Sequence, residues 1–258
     1  MSPSDPQPLF SILPRDFELE DRAPLGSLGV LMLGTDFTLE KELPDLLPVG
    51  LAAFTNRVLN ANPLTLENLR TMAEDVTRAA SGIMPGRGVD AMIYACTSGS
   101  VAIGVERITT LIRQAWPGIP VTTPLSAAKA AIDALGGKRI SILTPYPDEI
   151  NHALADWFSE QGFEVLNVTG FGMDDDIDVA MVPTEALIRA AEISCDPQAD
   201  LLFISCTALR AAEVVEELEV RLKKPVLTSN QVLAWHALQL MNITARPKRK
   251  DRIFTLKP

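Results

Sequence analysis

The 258-residue sequence is poor in aromatics, histidine and cysteine, and each shortage narrows what the chain can be. Phe, Trp and Tyr make up only 5% of it against a hydrophobic content of 47%, which describes an aliphatic α/β interior and not an aromatic-rich β-sandwich. The two histidines, His152 and His236, fall in predicted helices without clustered carboxylates, so no metal site is expected. Three cysteines are too few for a disulfide scaffold, and their odd number fits free thiols in a reducing compartment. Basic residues are outnumbered 33 to 23, which leaves no basic face for a nucleic acid. No apolar run approaches the ~18 residues of a membrane span. The opening Met1-Ser-Pro-Ser-Asp-Pro6 has neither the basic start nor the apolar core of a signal peptide. The expectation is a cytoplasmic protein without membrane or nucleic-acid partners. Gly99 and Gly104 form no dinucleotide fingerprint and no Walker-type loop occurs, so no nucleotide cofactor is expected.

What the chain does contain is a repeat. Asp90-Ala-Met-Ile-Tyr-Ala-Cys96-Thr97-Ser98-Gly99 is echoed by Asp200-Leu-Leu-Phe-Ile-Ser-Cys206-Thr207-Ala208-Leu209, with the two cysteines 110 residues apart. Each stretch reads as a buried strand running through Cys-Thr into a helix. A cysteine at the carboxyl end of a parallel strand sits at the mouth of an α/β sheet, where ligands bind. A helix beginning there aims N–H groups and its positive end at the sulfur, which favours a thiolate or a bound anion. The same offset aligns Val30 with Ile140, Leu33 with Leu143 and Asp36 with Tyr146, so the first strand of each half is duplicated too.

Taken in order, residues 1–24 carry five prolines among acidic residues and read as an extended arm. A first lobe over 25–124 has strands at 29–33, 49–54, 90–95 and 120–124. Its helices are one cut short by Pro44, one over 65–80, and one from about Ser100 to Ala115 with Val101, Val105, Ile108 and Ile112 at helical steps. A second lobe over 125–229 repeats the plan, with strands at 139–143, 163–168, 201–205 and 225–229 and helices at 125–135, 147–161, 184–193 and 208–222. A last helix, 230–241, is expected to pack back on the first lobe, and 242–258 reads as a solvated basic tail. Strands alternating with helices imply parallel sheets with right-handed crossovers. The fold class is therefore α/β, two pseudo-symmetric lobes facing one cleft that receives Cys96 and Cys206 from opposite sides. Asp36 and Tyr146 reach the same cleft. Cys195, outside the repeat, reads as structural, and Arg210 as an exposed helix-start residue.

These residues carry a resemblance. The sequence resembles the Asp/Glu racemase superfamily, in the branch holding maleate cis-trans isomerases, arylmalonate decarboxylases and ectoine-utilisation racemase-like proteins, with the likeness strongest to the last. It rests on Leu33-Gly-Thr-Asp36-Phe-Thr-Leu-Glu40, the stretch from Tyr94 to Gly104, Thr123-Pro-Leu125, Leu143-Thr-Pro-Tyr146, Phe203 to Arg210, and Pro225-Val-Leu-Thr-Ser-Asn-Gln231 with Trp235-His236. The resemblance implies a cofactor-independent enzyme, expected as a homo-oligomer, acting beside the carboxylate of a small amino or carboxylic acid. It implies that Cys96 and Cys206 exchange a proton with opposite faces of that carbon. It also implies that Thr97, Ser98 and Thr207 offer hydroxyls and N–H groups to a carboxylate or enolate, and that the Tyr146 hydroxyl contacts the carboxylate. In the maleate isomerases the cysteine at the Cys96 position adds instead to the double bond. Arylmalonate decarboxylases keep only the second cysteine, so Cys96 argues against that activity. The maleate isomerases carry Asn where this chain has Asp36. A carboxylate there repels a second substrate carboxylate and pairs with a cationic nitrogen, which favours an amino-acid substrate such as a diaminobutyrate derivative. The alternatives are maleate isomerisation by Cys96 addition and a non-catalytic small-molecule-binding protein.

Overall fold

A computed structural model describes residues 9, 10 and 12–256. The first half runs β1 (Gly26–Leu33), α1 (Leu39–Leu46), β2 (Leu51–Val58), α2 (Leu66–Thr71), α3 (Ala73–Ser81), β3 (Ala91–Ala95), α4 (Thr97–Ile103), α5 (Val105–Ala115), β4 (Val121–Thr122) and α6 (Pro124–Leu135). The second runs β5 (Arg139–Thr144), α7 (Asp148–Glu160), β6 (Glu164–Gly170), α8 (Asp176–Ala180), α9 (Thr184–Ser194) and β7 (Leu201–Ile204). A 3-10 turn (Ala211–Val214), α10 (Val215–Leu222), β8 (Val226–Thr228), α11 (Ser229–Leu240) and α12 (Arg252–Thr255) complete it. The two four-stranded sheets have equivalent orders, β2-β1-β3-β4 and β6-β5-β7-β8, and every pair is parallel. The expected α/β architecture of two duplicated lobes is thus present. No helix among the described residues is long and apolar enough to cross a membrane.

The aliphatic runs of β1, β3, β5 and β7 are buried along most or all of their length, as parallel strands covered on both faces require. The repeated aspartates at the start of the cysteine strands are structural. Asp90 Oδ2 accepts from the Ser27 N–H (2.7 Å), and Asp200 Oδ2 from the N–H groups of Lys138 and Arg139 (2.9 and 2.8 Å). Each ties its strand to the start of the neighbouring first strand. The helices that follow β4 and β8, α6 and α11, pack on each other; α11 also reaches α1, β3 and β4, and α6 reaches β8. Gly29 in β1 is required by close approach, since a Cβ there would lie 2.2 Å from Met92 Sδ and 3.2 Å from Val89 Cγ2. Gly29→Ala is expected to cost about 1–2 kcal/mol by overpacking, read as a lower urea midpoint with an unchanged m-value.

Several expectations need correction. The helix expected from Ser100 to Ala115 is two helices: it starts at Thr97, capped by Cys96, and breaks at Gly104, whose φ of +94° interrupts the ladder. Hydrophobic spacing runs on across that glycine because it reports which side is buried, not whether the axis is continuous. Pro44 does not end α1, because Leu39, Leu43 and Leu46 are buried on one face and hold the helix past the missing hydrogen bond. No helix begins at Ala208; the chain takes a non-helical path from Cys206 to Arg210 before the 3-10 turn. The basic tail is docked rather than solvated. Asp251 is fully buried, accepts from Gln231 Nε2 (2.8 Å) and pairs with Arg249 (2.7 Å), while Ile253 and Phe254 join the core. Of the N-terminal arm, residues 1–8 and 11 lie outside the described residues, as do 257 and 258 of the tail; residues 12–22 are exposed and carry no helix or strand.

Candidate active site

Cys96 leaves β3 in extended conformation and becomes the N-cap of α4. Its sulfur accepts from the Gly99 N–H at 3.2 Å and lies 3.5 Å from Ser98 Oγ. The thiol is 2% exposed. Burial, followed by the charge of Asp176, pushes its pKa up to about 12, against the pull of the Ser98 and Gly99 contacts.

Cys206 is held differently, although the repeat aligns the two. Its φ of +110° is a strained conformation for a residue with a Cβ, costing roughly 1–3 kcal/mol. Hydrogen bonds on consecutive peptide groups keep it there. The Cys206 N–H donates to Ser229 Oγ (3.0 Å), Asn230 Nδ2 donates to the Thr207 carbonyl (2.9 Å), and Thr38 Oγ1 donates to the Ala208 carbonyl (2.6 Å). With no helix behind it, the sulfur accepts the Ala208 N–H, at 3.4 Å, and lies beside the Tyr146 hydroxyl. Its pKa is raised further than that of Cys96, by burial first and Asp176 second.

The lobes are stitched across this cleft. Thr97 Oγ1 lies 2.9 Å from Ser229 Oγ, and Thr207 Oγ1 donates to the Ala95 carbonyl at 3.2 Å. Both threonine hydroxyls, expected to face a substrate, are therefore committed to the opposite lobe. What these residues leave free is main chain: the N–H groups of Thr97, Ser98 and Thr207 find no acceptor among the described residues.

Asp36 lies just beyond β1. Its Oδ1 accepts the N–H groups of Thr38 and Leu39 (2.8 and 2.9 Å) and so caps α1, while its Oδ2 is buried without a partner. Burial raises its pKa. Tyr146, the aligned residue of the second lobe, is 1% exposed, and its hydroxyl sits beside Cys206, Cys96 and Ser205. The hydroxyls of Ser205 and Tyr94 are also buried, and an added Cβ on Gly99 would touch Tyr94 Oη and Cys96 Sγ together.

Sequence reasoning missed Asp176, the first residue of α8. It is 3% exposed, and its Oδ2 accepts from Asn60 Nδ2 (3.0 Å) and Thr35 Oγ1 (3.3 Å) of the other lobe. Its charge acts on both sulfurs, and burial pushes its own pKa up to about 6. The available signal was the triplet Asp174-Asp175-Asp176 soon after β6, at the carboxyl edge of a sheet. Glu42 and Asn230 were missed as well. Glu42 is buried, accepts from Asn230 Nδ2 at 2.6 Å, and desolvation pushes its pKa up to about 8. Beside it, a cavity of about 370 Å³ opens between the lobes, lined by Phe37, Lys41, Glu42, Met181, Arg210 and Arg249 among others. Arg210 pairs with Glu213 at 2.8 Å; Cys195 caps the end of α9; His236 Nδ1 lies 2.8 Å from Thr122 Oγ1 and its ring stacks on Trp235. None of these three is near the thiols by any contact in the structure.

A family model described as arylmalonate decarboxylase matches residues 38–254. The chain belongs to the arylmalonate decarboxylase family. The match takes in both cysteines, Tyr146 and Asp176 and begins two residues after Asp36. Among relatives, a maleate isomerase of Alcaligenes faecalis is 24% identical over 249 residues, 88% of this chain and 96% of its own length. An arylmalonate decarboxylase of Bordetella bronchiseptica is 31% identical over 138 residues, covering 52% of this chain and 56% of that protein. Among solved structures, the maleate cis-trans isomerase of Nocardia farcinica, as a cysteine-to-serine variant with a covalently bound succinylcysteine intermediate, superposes with a TM-score of 0.78 at 18% identity, covering 84% of this chain and 93% of that one. At that identity the likeness carries the fold alone. The relatives thus include named isomerases and a named decarboxylase.

Proposed function

We propose that this chain is a cofactor-independent isomerase that uses Cys96 and Cys206 as paired base and acid on the carbon beside a carboxylate. The observation that carries the reading is the pair of buried, free thiols at duplicated strand ends, both within the field of one carboxylate and beside the Tyr146 hydroxyl. One thiolate removes the α-proton; the other thiol delivers its proton to the opposite face and is left as thiolate. Charge that develops on the substrate carboxylate is met by the free N–H groups of Thr97, Ser98 and Thr207 and by the Tyr146 hydroxyl. Cys96, at the N-terminus of α4 and supported by the Gly99 N–H, is the thiol assigned as the base.

The substrate class is a small amino or carboxylic acid. A diaminobutyrate derivative from ectoine breakdown is the finer reading, supported by the acid at position 36. A second reading is maleate isomerisation, favoured by the names of the relatives. There the Cys96 thiolate adds to the double bond, the central bond rotates in the resulting carbanion, and the sulfur leaves. A third is a silent ligand-binding protein using the same cleft. The test is proton NMR in D2O with both enantiomers of small amino acids and ectoine-related acids, plus maleate. Deuterium appearing at an α-carbon together with inversion is the expected result. Conversion of maleate to fumarate without such exchange establishes the addition route, and ligand binding without any reaction establishes the silent one.

A further inference from the structure

We propose that Asp36 and Asp176, reaching the cleft from opposite lobes, form a clamp for a cationic nitrogen of the substrate, so that the preferred ligand is an ammonium- or amidinium-bearing carboxylic acid and not a dicarboxylate. The proposal rests on the cleft being the substrate site and deepens that reading by naming the substrate class.

Each carboxylate has one oxygen committed to the protein and one that is not. Asp36 Oδ1 caps α1 and its Oδ2 is buried without a partner. Asp176 Oδ2 takes Asn60 and Thr35, and its Oδ1 receives no donor among the described residues. The two groups are close enough to repel each other, and both lie near Cys96. The charge of Arg57 draws the Asp36 carboxyl down, but less than burial raises it, and no ion pair to either carboxylate occurs among the described residues. Arg57, the nearest guanidinium to Asp36, spends Nη1 on the carbonyls of Leu33 and Asp36 (2.8 and 3.0 Å) and Nη2 on Glu40 (2.6 Å). The Tyr146 hydroxyl, beside both thiols, is a separate neutral donor for the substrate carboxylate.

Two neighbouring buried carboxylates are costly to ionise together, and an ammonium that pairs with them offsets that cost. A dicarboxylate would bring further negative charge to the same place. The clamp also couples recognition to chemistry. Burial raises both thiols first and the Asp176 charge adds to it, so a bound cation that offsets this charge lowers the cost of forming a thiolate.

The experiment is isothermal titration calorimetry of the whole chain with 2,4-diaminobutyrate and 2-aminobutyrate, against 2-hydroxybutyrate, which replaces the ammonium by a hydroxyl, and maleate. The amino acids are expected to bind at least about tenfold tighter than either comparison ligand. Asp36→Asn and Asp176→Asn, shown folded by circular dichroism, are each expected to weaken the amino acids by about ten- to a hundredfold, the size of one charge-assisted hydrogen bond. The double variant is expected to prefer maleate. The clamp is overturned if 2-hydroxybutyrate or maleate binds the unaltered chain as tightly as the better amino acid, if both variants keep the original preference, or if no amino acid binds at millimolar concentration. The two readings fail separately. Amino acids that bind through both aspartates without exchanging a proton would sink the isomerase and leave the clamp, whereas exchange on hydroxy acids as fast as on amino acids would do the reverse.

Discussion

Cys206→Ser is expected to abolish inversion while one enantiomer still exchanges its α-proton for deuterium with its configuration intact. In the two-thiol reading each sulfur serves one face of the α-carbon, so the remaining Cys96 still removes and returns a proton on its own side. Serine keeps the size of the side chain but its hydroxyl is far too weak an acid to replace a thiol as proton donor. Interconversion should fall by roughly a thousandfold or more, within the range for loss of a positioned acid or base. Cys96→Ser should give the mirror result, with exchange confined to the other enantiomer. The double variant should be no slower in interconversion than either single one, because residues that act as a unit are not additive, though it alone should lose exchange at both faces. Chiral chromatography combined with NMR in D2O separates the outcomes. Equal loss of both exchange and inversion in the Cys96 variant, with the Cys206 variant unaffected, would replace the two-thiol scheme by one in which Cys96 alone removes and returns the proton.

Glu42→Gln is expected to stabilise the protein by roughly 4–5 kcal/mol at pH 8.5 and by only about 1 kcal/mol at pH 5. Burial raises the carboxyl of Glu42 from 4.5 to about 8 in the folded chain. Between those two values the folded state holds a proton that the unfolded state has released. The stability linked to this group is therefore complete below about pH 4.5 and is lost as pH rises through 8. Asp36 and Asp176 are raised as well and act in the same sense, Asp176 over the window up to about 6. His236 is lowered by burial and has the opposite sign, but only as pH falls through its unfolded value. The thiols and buried tyrosines begin to cost stability only above about pH 9. Between pH 6.5 and 8.5 Glu42 is accordingly the dominant group. Glutamine keeps the carbonyl that accepts from Asn230 and cannot ionise. Thermal melts across this range should fall with pH for the unaltered chain and stay nearly level for the variant, with the midpoints separating by several degrees at the alkaline end. Parallel slopes for the two proteins would show that Glu42 does not govern the dependence.

The duplication, the two parallel sheets and the arrival of Asp36, Cys96, Tyr146 and Cys206 at strand ends were legible in the chain alone. Aliphatic runs report strands buried on both faces, and the 110-residue offset reports that the second half repeats the first. Two halves with the same strand order then place equivalent strand ends at the same edge. What lay beyond that reading depends on contacts between residues far apart in the chain. The repeat makes Cys206 look like Cys96, yet one sulfur caps a helix and the other sits at φ +110°, held by Thr38, Ser229 and Asn230. Local pattern cannot display a conformation imposed by partners on other elements. Asp176 and Glu42 look like surface acids in sequence, because a charge on a short helix is ordinarily solvated; the opposite lobe closes over the first, and Asn230 on α11 pairs with the second. The basic tail likewise reads as solvent-exposed until Asp251 is seen to meet Gln231 and Arg249. Periodicity along a chain records which side of an element is buried, and only the meeting of the two lobes decides which charges lose their water.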